Sequence, residues 1–211
     1  MRKIILICIL SFAFTQLKAQ QYIFPRGKNK PVPTLDTPQY YFPLFRSKDN
    51  IMPDTATVIR RSAYLKAINE PVLYTDLSHN GTFRFTWLRS ADHPVVVRVV
   101  RDGDHCTLYW KESDGTGNTV PGKLIVDKQT TMRSSDWGKF RRMLLKINTC
   151  AIDTTGHPLP GTHSEWIMEG FEGGYFQYSE FYTPGPTNAM YKACDYLMSF
   201  TDLVIAPGRK Y

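Results

Sequence analysis

The sequence lacks the motifs by which most enzyme families are read. It has no glycine-rich phosphate loop and no dinucleotide fingerprint, so nucleotide-dependent chemistry has no cradle. Histidine is sparse, with five in 211 residues. None of His79, His93, His105, His157 and His163 meets another at the i, i+4 spacing of a helical metallopeptidase site. Ser164 stands in Thr-His-Ser-Glu-Trp, without the small neighbours of a nucleophile elbow. His163, directly before it, would point to the opposite face of a strand. The four cysteines form no Cys-x-x-Cys pair and no Cys/His ligand spacing, so a structural zinc site is not expected. Residues 114–118 (DGTGN) carry side-chain oxygens, but they lack the acidic spacing and closing glutamate of a helix-loop-helix calcium site. The same residue types form common turns. No metal and no cofactor is expected. Basic stripes are missing too. Arg60-Arg61 and Arg141-Arg142 are only doublets, too little to track phosphates, so nucleic acid is not an expected partner. There is no internal repeat.

What is present begins with a secretory layout. Arg2 and Lys3 precede an apolar run over 4–14, and Leu17-Lys18-Ala19 offers a cleavage site, which marks 1–19 as a signal peptide. The run is too short for a stable bilayer-crossing helix. A signal anchor is the alternative, and cleavage would leave no integral membrane segment. Cys8 lacks the small residues expected before a lipid-modified cysteine. Removing 1–19 takes Arg2, Lys3 and Lys18 from the 26 basic residues and none of the 19 acidic ones, leaving a net charge of +4. Cys106, Cys150 and Cys194 remain, and an odd number in an oxidising compartment permits one disulfide and one free thiol. Cys106 alternates with apolar residues as a buried thiol does. By elimination a Cys150–Cys194 bridge is preferred.

Residues 20–54 hold Pro25, Pro31, Pro33, Pro38, Pro43 and Pro53 among Tyr40-Tyr41-Phe42 and Phe45. Proline at this density prevents a regular helix or central strand, and the aromatics argue against full disorder. An extended arm docked through its aromatic residues is expected, with a partner-recruiting arm as the alternative. From 55 to 211 the pattern is that of a single α+β domain. Val58, Ile59, Tyr64, Leu65 and Ile68 recur at helical spacing until Pro71. Strand-like runs over 82–89 (TFRFTWLR), 95–101 (VVVRVVR) and 106–111 (CTLYWK) make a meander, and 123–130 reads as a fourth strand. The helix that follows has Ser134 or Ser135 as cap and Trp137, Phe140, Leu144 and Leu145 on one face. A hairpin over 164–186 and a last helix capped by Thr187, burying Met190, Tyr191, Cys194, Leu197 and Met198, complete the chain. The expected fold is an antiparallel sheet of about six strands packed with three helices and preceded by the Pro-rich arm.

The hairpin (SEWIMEGFEGGYFQYSEFYTPGP) is the candidate site. A two-residue turn at Gly173-Gly174 sets the register. Glu172 then faces Tyr175, Glu169 faces Tyr178, Ile167 faces Glu180, and Glu165 faces Tyr182. That register gathers Glu165, Glu169, Tyr178, Glu180 and Tyr182 on one face, and diagonal neighbours there lie about 7–8 Å apart. Carboxyls at such spacing could serve as the acid and base of a glycosidase. Flanking tyrosines could stack on a sugar or hold a cation. Equally, strand glutamates commonly form a solvated face paired with Lys or Arg. A three-residue turn, Glu172-Gly173-Gly174, would move Glu180 to the opposite face from Glu169.

The runs GTFRFTWLRSADHPVVVRVV, YWKESDGTG, EWIMEG and EFYTP resemble a group of exported proteins of Gram-negative bacteria. The shared phrases fall on Phe85 to Arg89, Trp166 to Glu169 and Glu180 to Pro184, and the likeness covers roughly 82–203. The resemblance brings no assigned activity; it draws attention to Arg89, Glu169 and Glu180. The expected function is that of a periplasmic or secreted, non-enzymatic binding protein. It would meet a protein or cell-envelope component through Glu165, Glu169, Tyr178, Glu180, Tyr182 and Arg89, as an envelope or toxin-neutralising factor. The alternative is a hydrolase of envelope glycan or peptide using Glu169 and Glu180.

Overall fold

The computed structural model describes residues 40–42, 55–75, 80–147 and 163–205. The signal region, most of the arm and residues 148–162 lie outside them. Helix α1 (Thr55–Ala67) is followed by strands β1 (Thr82–Leu88), β2 (Val95–Asp102), β3 (His105–Ser113) and β4 (Leu124–Met132). Helix α2 (Ser134–Leu144), strands β5 (Glu165–Glu172) and β6 (Tyr175–Tyr182), and helix α3 (Ala189–Met198) complete the order. All strands join one antiparallel sheet in the order β4-β3-β2-β1-β5-β6. The fold is α+β, as a short-looped run of strands with helices before, between and after it predicts. Among the described residues no helix is long and apolar enough to cross a membrane.

Alternation along the strands gives the sheet two unlike faces. One carries Phe83, Phe85 and Trp87 of β1, Val95, Val97 and Val99 of β2, and Leu108 and Trp110 of β3. Helices α2 and α3 cover it with Trp137, Phe140, Leu144, Met190, Ala193, Cys194 and Leu197. Trp87 and Trp166 lie 4.9 Å apart between ring centroids, and Phe83 meets Phe140 edge to face. Gly170 is the glycine this packing requires. A Cβ there would sit 2.1 Å from Phe83 Cδ1, so only hydrogen fits under the ring. Gly170→Ala is expected to cost about 1–3 kcal/mol by overpacking, read from the urea midpoint, and Phe83→Leu in the same chain should return part of it.

The other face carries Thr82, Arg84 and Thr86 of β1, Arg98 of β2 and Lys111 of β3, with the acids and tyrosines of β5 and β6. Helix α1 lies over it. Its buried residues are Val58, Arg61, Ser62, Tyr64 and Leu65. Ile59, expected on the buried stripe, is instead 47% exposed, because the stripe is centred one step further round on Arg61 and Ser62. The helix ends where Asn69 turns to φ 53° and Glu70 N–H reaches back to the Leu65 carbonyl at 3.0 Å. This is a Schellman-type stop, and it turns Glu70 inward. The arm touches the same face. Tyr41 N–H donates to Ser62 Oγ at 2.9 Å, and Phe42 packs edge-on against Tyr178.

Several local expectations are corrected. Ser134 is the first residue of α2 rather than its cap; its hydroxyl donates to the Asp104 carbonyl at 3.0 Å, and Arg133 holds the cap position. Leu145 lies beyond the packed face and is 73% exposed. Asn188, not Thr187, caps α3, its side chain accepting from Met190 N–H at 2.7 Å. Tyr191 and Met198 are only half-buried. Strand β4 runs over Leu124–Met132, shifted from the expected 123–130. Cys194 is buried in the core, and the expected Cys150–Cys194 bridge falls outside the described residues at Cys150.

Candidate functional site

The turn at Gly173-Gly174 has two residues, with φ of 62° and 84°. Two positive φ values in succession define the mirror-image turn that suits strand twist, and glycine adopts them without penalty. The register follows as the sequence implies: Glu172 opposite Tyr175, Glu169 opposite Tyr178, Ile167 opposite Glu180, Glu165 opposite Tyr182. Glu165, Glu169, Tyr178, Glu180 and Tyr182 therefore share one face. That face is not a solvent surface. Glu169, Tyr178 and Glu180 are buried beneath α1, while Glu165 and Tyr182 are half-buried at its margin.

Cations of the chain itself meet every acid there. Arg61, from the buried side of α1, donates through Nε to Glu165 Oε2 at 2.8 Å. Its Nη1 donates to Tyr178 Oη at 2.8 Å and to Glu180 Oε2 at 2.5 Å. Tyr178 passes a hydrogen bond on to Glu180 Oε2, also at 2.5 Å. Arg60 binds the other oxygen of Glu165. Burial opposes the charge on Arg61, yet Tyr178, Glu180 and Glu165 hold the guanidinium well above its usual value. Burial pushes the Tyr178 phenol well up in turn, so it stays protonated and able to donate.

A second cluster lies alongside. Across the sheet, Tyr178, Glu169, Arg84, Arg98, Tyr109 and Gln129 form one cross-strand row from β6 to β4. Arg84 and Arg98 are direct neighbours in it, a repulsive pair unless acids intervene. Two do. Glu169 bridges Arg84 Nη2 at 2.9 Å. Glu70 enters from the end of α1 to accept from Arg98 Nε at 2.9 Å and to meet Lys111 Nζ at 3.2 Å and Arg84 Nη1 at 3.4 Å. Lys111 also donates to the carbonyls of Ile68 and Asn69 at 2.9 and 3.0 Å. The Arg98 guanidinium lies 4.4 Å over the Tyr109 ring. Burial raises the Glu169 carboxyl to about 7, with Arg84 working in the opposite direction.

Arg89 stands apart from these groups. It follows β1, binds Asp92 beside the β1–β2 turn, and sets its guanidinium 4.9 Å over Trp87. Loop residues 114–118 have a packing role among the described contacts. Asp114 Oδ1 accepts from Lys123 N–H at 2.5 Å, and Gly117 N–H donates to the Arg89 carbonyl at 2.6 Å. Tyr64 Oη lies 2.7 and 2.6 Å from the Thr116 and Thr119 carbonyls. Among the described residues no group of His, Cys, Asp and Glu could hold a metal ion. Comparison of the chain with family models, curated proteins and solved structures returns no match.

A cleft lined by Phe83, Leu144, Ile147, Met168, Gly170 and Gln177 opens beside the C-terminus of α2. Glu169 contributes to its wall, but strand alternation and the Arg84 pairing turn the carboxylate toward α1. Five members of these clusters escaped sequence reasoning: the acid Glu70 and the cations Arg60, Arg61, Arg84 and Lys111. The available signal was Arg84 and Arg98, charges set inside otherwise apolar strands of one meander.

Proposed function

We propose that the chain is an exported, non-enzymatic interaction protein, periplasmic or secreted, whose partner is a protein or another component of the cell envelope. The supporting observation is that Glu165, Glu169 and Glu180 are each occupied by an arginine of the chain itself. Arg61 ties α1 to Glu165 and Glu180, and Arg84 of β1 takes Glu169, so these side chains are committed inside the fold and recognition falls to the outer surface. The alternative is a hydrolase using Glu169 and Glu180. It draws on the near-neutral Glu169 carboxyl, since a general acid needs a raised pKa. It also requires substrate to touch a carboxyl that has no exposed surface.

Cell fractionation with N-terminal sequencing tests the reading. The chain is expected outside the cytoplasm and beginning at Gln20, and the purified chain should release neither sugar nor peptide from cell wall. A cytoplasmic chain beginning at Met1 would contradict export. Release abolished by Glu180→Gln would establish the hydrolase instead.

A further inference from the structure

We infer that the outer face of α2 is a docking surface for an anionic lipid bilayer. This deepens the interaction-protein reading, on which it rests, by naming the envelope component met. Helix α2 buries Trp137, Phe140 and Leu144 against the sheet. Lys139 and Arg142 of the helix and Lys146 just past its end, spaced by three and four residues, are exposed. Arg141 flanks them, with Nε held by Glu172 at 2.9 and 3.1 Å, and the Lys139 ammonium sits 4.5 Å over the Tyr196 ring. Asp136, the acid of this helix, is engaged by Arg133 and Tyr196 at the other end. Among the described residues no acid bridges Arg142 or Lys146, so their charge faces solvent.

The helix macrodipole favours cations in the last turn, and Arg141 and Arg142 would satisfy it. It gives no reason for Leu145, which is 73% exposed between Arg142 and Lys146. A large apolar side chain ringed by cations suits a surface that is anionic outside and apolar just beneath. In a bilayer the lipid phosphates attract the lysines and arginine over a Debye length, and the leucine enters the headgroup boundary. A soluble polyanion would use the charges and leave the leucine in water.

Co-sedimentation of the chain from Gln20 onward with phosphatidylcholine vesicles, with and without phosphatidylglycerol, provides the test. Binding is expected only where phosphatidylglycerol is present and should weaken as salt rises. Arg142→Glu with Lys146→Glu is expected to weaken it at least about tenfold, with an unchanged far-ultraviolet circular dichroism spectrum and melting temperature. Leu145→Ser should weaken it severalfold and leave the salt dependence intact. All variants begin at Gln20, so the 4–14 run takes no part in the binding measured. Equal binding to both vesicle types, or no effect of charge reversal, would overturn the inference. So would displacement from vesicles by soluble polyphosphate together with indifference to Leu145→Ser. Failure on vesicles removes the lipid surface and leaves the interaction-protein reading standing. Turnover of cell wall would remove that reading and leave the vesicle result untouched.

Discussion

Arg61→Met is expected to lower the unfolding free energy by about 3–5 kcal/mol, out of the roughly 5–15 kcal/mol typical of a whole domain. Methionine keeps much of the length and fits an apolar site, so the loss is one of charge and hydrogen bonding rather than of a cavity. Glu165 would retain Arg60. Among the described residues Glu180 would retain Tyr178 alone, leaving a buried carboxylate with a single hydrogen bond and no counter-charge there. That uncompensated charge is where the penalty arises, and a second substitution isolates it. Adding Glu180→Gln to Arg61→Met should recover a substantial part of the loss, because an amide is far less costly to bury than an ion. Urea denaturation of the two single variants and the double variant measures this. If Arg61→Met alone left the midpoint unchanged, Arg61 would not be holding α1 to the sheet.

The second large effect concerns pH. The Glu169 carboxyl is raised from 4.5 to about 7, first by burial, with Arg84 partly offsetting it. Between these values the folded chain keeps a proton that the unfolded chain has lost. Stability from this group is therefore fully present below the unfolded pKa and is lost as pH rises through the folded one. The loss amounts to roughly 3 kcal/mol. Glu169→Gln removes the titration while keeping an oxygen near Arg84. The stability difference between wild type and Glu169→Gln is expected to shift against the wild type from pH 4.5 upward and to level off above 7. A difference that stayed flat across that window would mean that Glu169 is ionised throughout, with Arg84 outweighing burial.

The fold was largely legible because its signals are local. Phe83, Phe85 and Trp87 announce their strand by alternation, the diglycine fixes the hairpin register, and Pro71 stands just past the end of α1. The site was half legible. Register within the hairpin brought Glu165, Glu169 and Glu180 together, but their surroundings depend on pairs distant in sequence. Arg84 meets Glu169 only because β1 pairs with β5 across 85 residues of chain, and Arg61 meets Glu180 across 119. No periodicity encodes those encounters. Helix α1 shows the difficulty within one element. A stripe read from Ile59 and Leu65 placed an isoleucine inside, whereas the packed stripe includes Arg61, whose charge is tolerated because two acids await it. Glu70 was hidden for a different reason. Its inward course depends on the left-handed Asn69, a backbone event that neighbouring residue types do not advertise.

Carboxyl labelling with a carbodiimide and a small amine, read by mass spectrometry, measures directly whether these acids face water. In the native chain Glu169 and Glu180 should stay unmodified while Asp127 and Glu172 react, and all four should react in urea. Native labelling of Glu169 and Glu180 at the rate of Glu172 would mean an open acidic face, and the account of an internal lock beneath α1 would fail.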